Sequence, residues 1–287
     1  MKKLFTNLAL MGVLSAGTAC QKSSDTGEAS RLPAQTINNV FYGTDSAQKM
    51  DVYLPAGRTD STTKLMVMIH GGAWMEGDKR DFNPYVEVLK KQLPDYAIAN
   101  INYRLATQTG NWFPTQENDI KQALQSLYDK RKEYAFSDKV VLLGASAGGH
   151  LALLQGYKYS APVKPQAIVS FFGPTDLTAM YNAQTNAFYK YALSTLIGGT
   201  PTTAPERFAQ SSPITFVTPQ SPPTLLLHGS EDPLVPVQQA QALKTKLAAA
   251  GVPHELIVYP REGHGWTGAN LTASFNSIAA FLKKHVK

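Results

Sequence analysis

A chain of 287 residues with 43% apolar and 17% charged residues has the balance of a globular protein, which sets aside a disordered or fibrous chain and leaves room for one large domain or two small ones. Its formal charge of +6 is scattered along the sequence rather than clustered, which argues against a nucleic-acid surface. A single cysteine cannot form an internal disulfide, and with no His, Cys or carboxylate set at ligand spacing no metal or cofactor is expected.

In chain order, the first stretch reads as a targeting segment. Lys2 and Lys3 precede an apolar run, residues 4–14, interrupted by Asn7, and small residues fill positions 15–19. That order is an export signal, too short to stay across a bilayer. Cys20 follows at once, and the stretch resembles a bacterial lipoprotein signal, in which that cysteine becomes the lipidated first residue of the mature chain. Gly17 stands where such signals usually carry leucine, so ordinary cleavage before Cys20 is the alternative. Either version exports the protein, the first as a membrane-anchored lipoprotein and the second as a soluble one. Residues 1–19 hold two lysines and no acids, so the mature charge falls from +6 to +4. Residues 20–35 are polar, rich in Ser, Thr, Gly and Pro, and read as a tether. One domain is expected from 36 to 287.

Two short extended runs, 37–42 and 50–54, open that domain as a hairpin. A buried strand over 65–69 ends in His70-Gly71-Gly72-Ala73-Trp74, a turn so poor in side chains that its amides can approach a ligand closely. A helix is predicted over 81–93, a strand over 96–103 and an amphipathic helix over 116–134, with Ile120, Leu124, Leu127 and Tyr128 on one face. The run 140–143 is a strand buried on both faces, followed by a helix over 150–155. Strands follow at 167–172, 224–227 and 256–259, with helices over 237–250 and 274–284. Strands alternating with helices predict a mostly parallel sheet covered on both faces. Between 174 and 222 the rhythm breaks into a stretch rich in aromatics and prolines, read as a small cap over the site.

The motif Gly144-Ala145-Ser146-Ala147-Gly148 lies between strand and helix, where small residues let a strained backbone push one hydroxyl outward. The reading is a nucleophilic Ser146; the alternative is a serine that only caps the following helix. In a parallel sheet, loops at the carboxyl ends of strands converge on one crevice, so the partners of Ser146 are sought just after strands. Of six histidines, His70 and His228 read as holding backbone, His150 lies on the helix beyond Ser146, His254 begins its strand and His285 sits in the tail. Only His264 follows the last strand in a glycine-flanked loop, as a base would. For the acid, Asp232 follows a strand, with Asp176 as its rival and Glu231 as a weaker one. Gly263, Gly265 and Gly268 match a dinucleotide fingerprint, but no strand with a ribose-binding acid follows.

The order Ser146, Asp232, His264 accompanies this elbow on one fold, and the sequence resembles an α/β-hydrolase of the branch with an HGG-type oxyanion loop, which includes carboxylesterases, carbohydrate esterases and kynurenine formamidases. The resemblance rests on residues 70–74, 102–105, 144–149, 172–177, 228–236 and 263–265. It implies Ser146 as nucleophile, Asp232 as acid, His264 as base, and an oxyanion hole on the amides of Gly72, Ala73 and Ala147. Ala73 stands where many members carry a third glycine. Trp74 is nearer the formamidase and carbohydrate-esterase pattern.

The expected activity is hydrolysis of carboxylic esters through an acyl-serine by an exported enzyme. Its substrates would be acetyl or hydroxycinnamoyl esters of carbohydrate, or other small esters. Trp74 and Trp266 are expected to touch substrate, with Trp112, Phe113, Phe188, Tyr189 and Tyr191 as further candidate lining. A serine peptidase and a non-catalytic surface binding protein on the same scaffold are the alternatives.

Overall fold

The structure, a computed structural model, describes residues 32–287; the expected export signal, Cys20 and most of the tether lie outside these residues. Eight strands form one sheet: β1 Gln35–Phe41, β2 Lys49–Leu54, β3 Lys64–Ile69, β4 Tyr96–Ile101, β5 Val140–Ala145, β6 Ala167–Phe171, β7 Thr224–Gly229 and β8 His254–Tyr259. Their spatial order is β1-β2-β4-β3-β5-β6-β7-β8. The hairpin β1-β2 and the β2-β4 pair are antiparallel, and every pair from β4 to β8 is parallel. This is the α/β-hydrolase fold, and it sets β5 near the middle, with β3 and β6 on its flanks.

The pleat of β5 divides the core. Val140 and Leu142 point into one apolar layer with α2 (Thr115–Asp129), α3 (Ala147–Lys158) and α7 (Gln238–Ala249). Val141 and Leu143 point into the other, with α1 (Asn83–Gln92) and α8 (Gly268–His285). Successive side chains of a strand face opposite ways, so a strand apolar at both parities must be covered twice. Helix α3 is buried along nearly its whole length. Its Gly148 lies so close to β3 that a Cβ there would fall 1.9 Å from the Ile69 carbonyl oxygen. That glycine presses the helix following Ser146 against the strand that ends in the glycine turn.

Element limits differ from the sequence reading where local chemistry intervenes. The helix expected over 81–93 is two pieces: a 3-10 turn, Lys79–Phe82, capped by Asp78, then α1, which Pro84 opens because its missing N–H is not needed in a first turn. Helix α2 stops at Asp129, where Lys130 leaves helical geometry, instead of running to 134. The segment between β6 and β7 folds into α4 Leu177–Ala183, α5 Ala187–Ile197, α6 Pro205–Gln210 and a 3-10 turn, Pro213–Phe216. No helix among the described residues is long and apolar enough to cross a membrane.

Candidate active site

The turn from β5 into α3 holds Ser146 at φ 53°, ψ −120°, a left-handed conformation that is strained for a residue with a side chain. The turn is tight because Gly144 and Gly148 face each other, and a Cβ on Gly144 would lie 2.2 Å from the Gly148 carbonyl oxygen. Ser146 does not cap α3 with its side chain, so the capping alternative does not describe it. Its Oγ instead lies 2.9 Å from His264 Nε2.

His264 sits in the loop between β8 and α8, and its Nδ1 is 2.7 Å from Asp232 Oδ2. A carboxylate only accepts, so Nδ1 carries the proton and Nε2 is left to accept from the Ser146 hydroxyl. Asp232 lies in the loop after β7. Its other oxygen, Oδ1, accepts from the amides of Leu234 (2.8 Å) and Val235 (2.9 Å). Burial alone would raise this carboxyl; hydrogen bonds from His228 and His264, the His264 charge and the Val235 amide outweigh it and hold Asp232 below the usual carboxylate range. Asp232 therefore remains an anion facing the imidazole. The rival Asp176 caps α4, its Oδ1 accepting from Ala179 N at 2.9 Å, and Glu231 is exposed.

The glycine turn after β3 comes up against this elbow. A Cβ on Gly71 would lie 3.0 Å from the Ala145 carbonyl oxygen and 3.3 Å from Ser146 Cβ. Gly72, Ala73 and Trp74 all have positive φ, at 100°, 49° and 61°. Consecutive residues of this kind turn their amides inward into a concave, anion-accepting surface. The N–H groups of Gly72 and Ala73 meet no backbone or side-chain acceptor among the described residues. Ala147 is the first residue of α3, so its N–H has no partner within the helix and adds the positive end of the helix dipole. His70 Nδ1 donates to the Gly71 carbonyl (2.8 Å), and the ring stacks on Tyr103 at 4.3 Å; Tyr103 donates in turn to the His70 carbonyl (3.1 Å). This pair fixes the backbone of the turn. Burial, partly offset by the Gly71 carbonyl, lowers the His70 pKa and keeps the ring neutral.

Residues 50–247 match the BD-FAE family. The chain belongs to the BD-FAE family, among the esterases of the α/β-hydrolase superfamily. It is 27% identical over 263 residues to esterase LipC of Mycobacterium tuberculosis, a match covering 85% of this chain and 64% of that one. To the probable carboxylic ester hydrolase LipM of the same organism it is 31% identical over 199 residues, covering 65% and 45%. The chain thus spans less than two thirds of either curated relative. Among solved structures, a truncated carbohydrate esterase from gut microbiota superposes with a TM-score of 0.77 at 26% identity, covering 88% of this chain and 96% of that one.

Within this BD-FAE domain the expected substrate contact of Trp74 is corrected. Its side chain is 2% exposed, and Nε1 donates to His150 Nδ1 at 3.1 Å. Ala73 and Trp74 both have positive φ, and the indole packs in the hydrophobic core. His150, itself buried, donates from Nε2 to the Ser211 carbonyl at 2.6 Å. One neutral imidazole therefore joins the glycine turn, helix α3 and the segment between β6 and β7. Burial, partly opposed by the Ser211 carbonyl, lowers its pKa to about 4.

Trp266 is also buried, its Nε1 donating to Ser274 Oγ at 2.9 Å, but its ring lines a recess beside His264. Of the aromatics expected near substrate, Phe113 is buried, while Trp112, Phe188 and Tyr191 are exposed. Tyr189 is half-buried, and the pKa of its hydroxyl is raised by burial and then by the charges of Asp232 and Glu76. One neighbour of the triad has no counterpart in the sequence reading: the Phe172 ring packs 4.5 Å from the His264 ring. His228 holds backbone as expected, its Nε2 donating to the Val235 carbonyl at 2.8 Å, and it also lies 3.5 Å from Asp232 Oδ2. Phe172 does follow a strand, which was a usable signal; an apolar residue was not sought there.

Proposed function

We propose that the protein is a serine carboxylic ester hydrolase working through an acyl-serine intermediate. The observation that carries this reading is the continuous hydrogen-bond line Ser146–His264–Asp232 beside the unspent amides of the glycine turn. Ser146 Oγ attacks the ester carbonyl carbon while His264 Nε2 takes its proton, and Asp232 stabilises the imidazolium through Nδ1–H. The carbonyl oxygen becomes an anion facing the N–H groups of Gly72, Ala73 and Ala147, each such donor contributing about 3 kcal/mol to barrier lowering in comparable sites. His264 then protonates the leaving alcohol. Water, deprotonated by the same nitrogen, attacks the acyl carbon, and Ser146 recovers its proton as the acid leaves.

The substrate reading is an acylated carbohydrate or small ester, with acetyl and hydroxycinnamoyl groups as the leading acyl classes. Its support is the similarity to a truncated carbohydrate esterase, 96% of whose chain is covered. The residue pattern at 2–20 supports an exported, lipid-anchored enzyme. Ser146→Ala should abolish release of p-nitrophenol from p-nitrophenyl acetate; a variant as active as the parent overturns the nucleophile. Acetylated xylan, methyl ferulate and ethyl butyrate compared side by side test the substrate class, and equal turnover of all three removes the carbohydrate reading.

A further inference from the structure

A recess of about 130 Å³ adjoins the triad on the side of the sheet covered by α1 and α8, and the steps above make no use of it. Its rim is built from residues next to the reacting groups: Ala145 precedes Ser146, Gly265 follows His264, and Phe172 packs on the His264 ring. Its depth is apolar, with Leu143 from β5, Phe82 before α1 and Phe275 from α8. The rim residues, like Tyr85 and Leu271, are half-buried and the deep ones buried, so the recess is not sealed within the core, and three of its rim residues flank or touch Ser146 and His264.

Two features define what fits. No charged side chain lines the recess, the Trp266 indole N–H already donates to Ser274, and Tyr85 is the only other lining residue whose side chain carries a polar atom. A sugar ring would carry several hydroxyls into a place with almost nothing to receive them, and buried polar groups without partners are unfavourable. The volume is a little below that of a cavity known to admit benzene, about 150 Å³, so one bare ring or a chain of about four to six carbons fits, while an acetyl group leaves most of the space empty.

We infer that this recess is the specificity pocket for a short apolar substituent of the ester, and that any carbohydrate part of the substrate lies outside it. The inference rests on the ester-hydrolase reading but departs from acetyl and hydroxycinnamoyl as the groups that fill this recess: the preferred substrates carry an unbranched or phenyl-sized apolar group on either their acyl or their alcohol side.

The test uses the full chain and esters without a chromophoric leaving group, followed by acid release in a pH-stat. Methyl hexanoate and pentyl acetate are isomers that carry the same apolar length on opposite sides of the ester bond, and methyl acetate is the reference. One of the two should exceed methyl acetate at least about tenfold in kcat/KM, since each buried methylene strengthens binding severalfold. Leu271, on α8 at the recess, is the residue to change. Leu271→Trp should reduce that ratio about tenfold and Leu271→Ala should not; the isomer that responds tells which side of the ester enters. Unchanged ratios for both isomers in a Leu271→Trp protein of native circular dichroism overturn the inference, and Leu271→Phe serves if the tryptophan variant misfolds. Binding of benzyl alcohol to Ser146→Ala, read by ligand-detected NMR, separates the two failures. If it binds, and Leu271→Trp abolishes binding, while no ester is turned over by the parent, the pocket stands and the hydrolase reading falls. Esters cleaved without size preference, together with no binding, leave the hydrolase and remove the pocket.

Discussion

Replacing Asp232 with asparagine changes one atom and, by the geometry of the site, reverses the imidazole it holds. Oδ1 accepts from two backbone amides, at 2.8 and 2.9 Å, while Oδ2 faces His264 Nδ1 at 2.7 Å. The two amides can only donate, so an asparagine must keep its oxygen toward them and turn its NH2 toward His264. Two donors then meet at Nδ1. The ring responds by moving its proton to Nε2, which points at Ser146 Oγ and can no longer accept from it. Flipping the amide instead would set an NH2 against two N–H groups and lose two hydrogen bonds. Loss of the base in this way costs about 10⁴ in kcat in a comparable triad, or about 5.5 kcal/mol of barrier. KM for p-nitrophenyl acetate should stay within a few-fold, because Asp232 does not touch substrate. Adding Ser146→Ala should cost far less than it does in the parent, since the two residues act as a unit. An Asp232→Asn protein with native melting behaviour and kcat within tenfold of the parent would refute the tautomer argument.

Three further outcomes follow from the packing. His150 has a folded pKa of about 4, lowered by burial against an ordinary value near 6.5, so between those pH values the unfolded chain binds more protons and stability falls as pH drops, by about 3 kcal/mol across the window. Urea midpoints at pH 7 and 4.5 should separate less in His150→Gln than in the parent; equal separations would contradict this. The Lys79 and Asp51 side chains, each 5% exposed, pair at 2.6 Å, and Lys79→Met should destabilise by about 3–5 kcal/mol in urea unfolding by stranding a buried carboxylate, with much of that recovered in Lys79→Met/Asp51→Leu. Gly148→Ala would force a Cβ against the backbone oxygens of Ile69 (1.9 Å) and His70 (2.5 Å), so at least about 1–3 kcal/mol of stability and most of the activity should be lost together, read by thermal melts and ester turnover.

The triad geometry was legible because each member follows a strand, and a parallel sheet gathers its carboxyl-end loops without any help from side-chain detail. Choosing between Asp232 and Asp176 from the residues alone was not possible: both follow strands, and only the structure shows Asp176 occupied in capping α4. Trp74 was misplaced for a different reason. Which way a side chain leaves a glycine turn depends on φ at Ala73 and Trp74, and nothing in the residue types there announces two consecutive left-handed conformations. The helices between β6 and β7 were missed because their turns are short and their aromatics fall on both faces. In α5 the exposed Phe188 and Tyr191 alternate with the half-buried Tyr189, which blurs the helical period. His150 left a trace, the one polar side chain in the apolar run 147–154, that marks a buried partner without naming it.

The imidazole of His150 has a consequence for anyone who would alter this scaffold. The segment between β6 and β7 looks like an exchangeable module, the natural place to graft a loop from a relative and retune specificity. Yet its Ser211 carbonyl terminates a chain of donors that begins at the Trp74 indole. A graft lacking a carbonyl at that position leaves His150 with an unmatched N–H in the core, and the disturbance passes through Trp74 to the backbone beside Ser146. Successful chimeras of this protein should therefore keep residues 211–212 native and exchange only what lies before them.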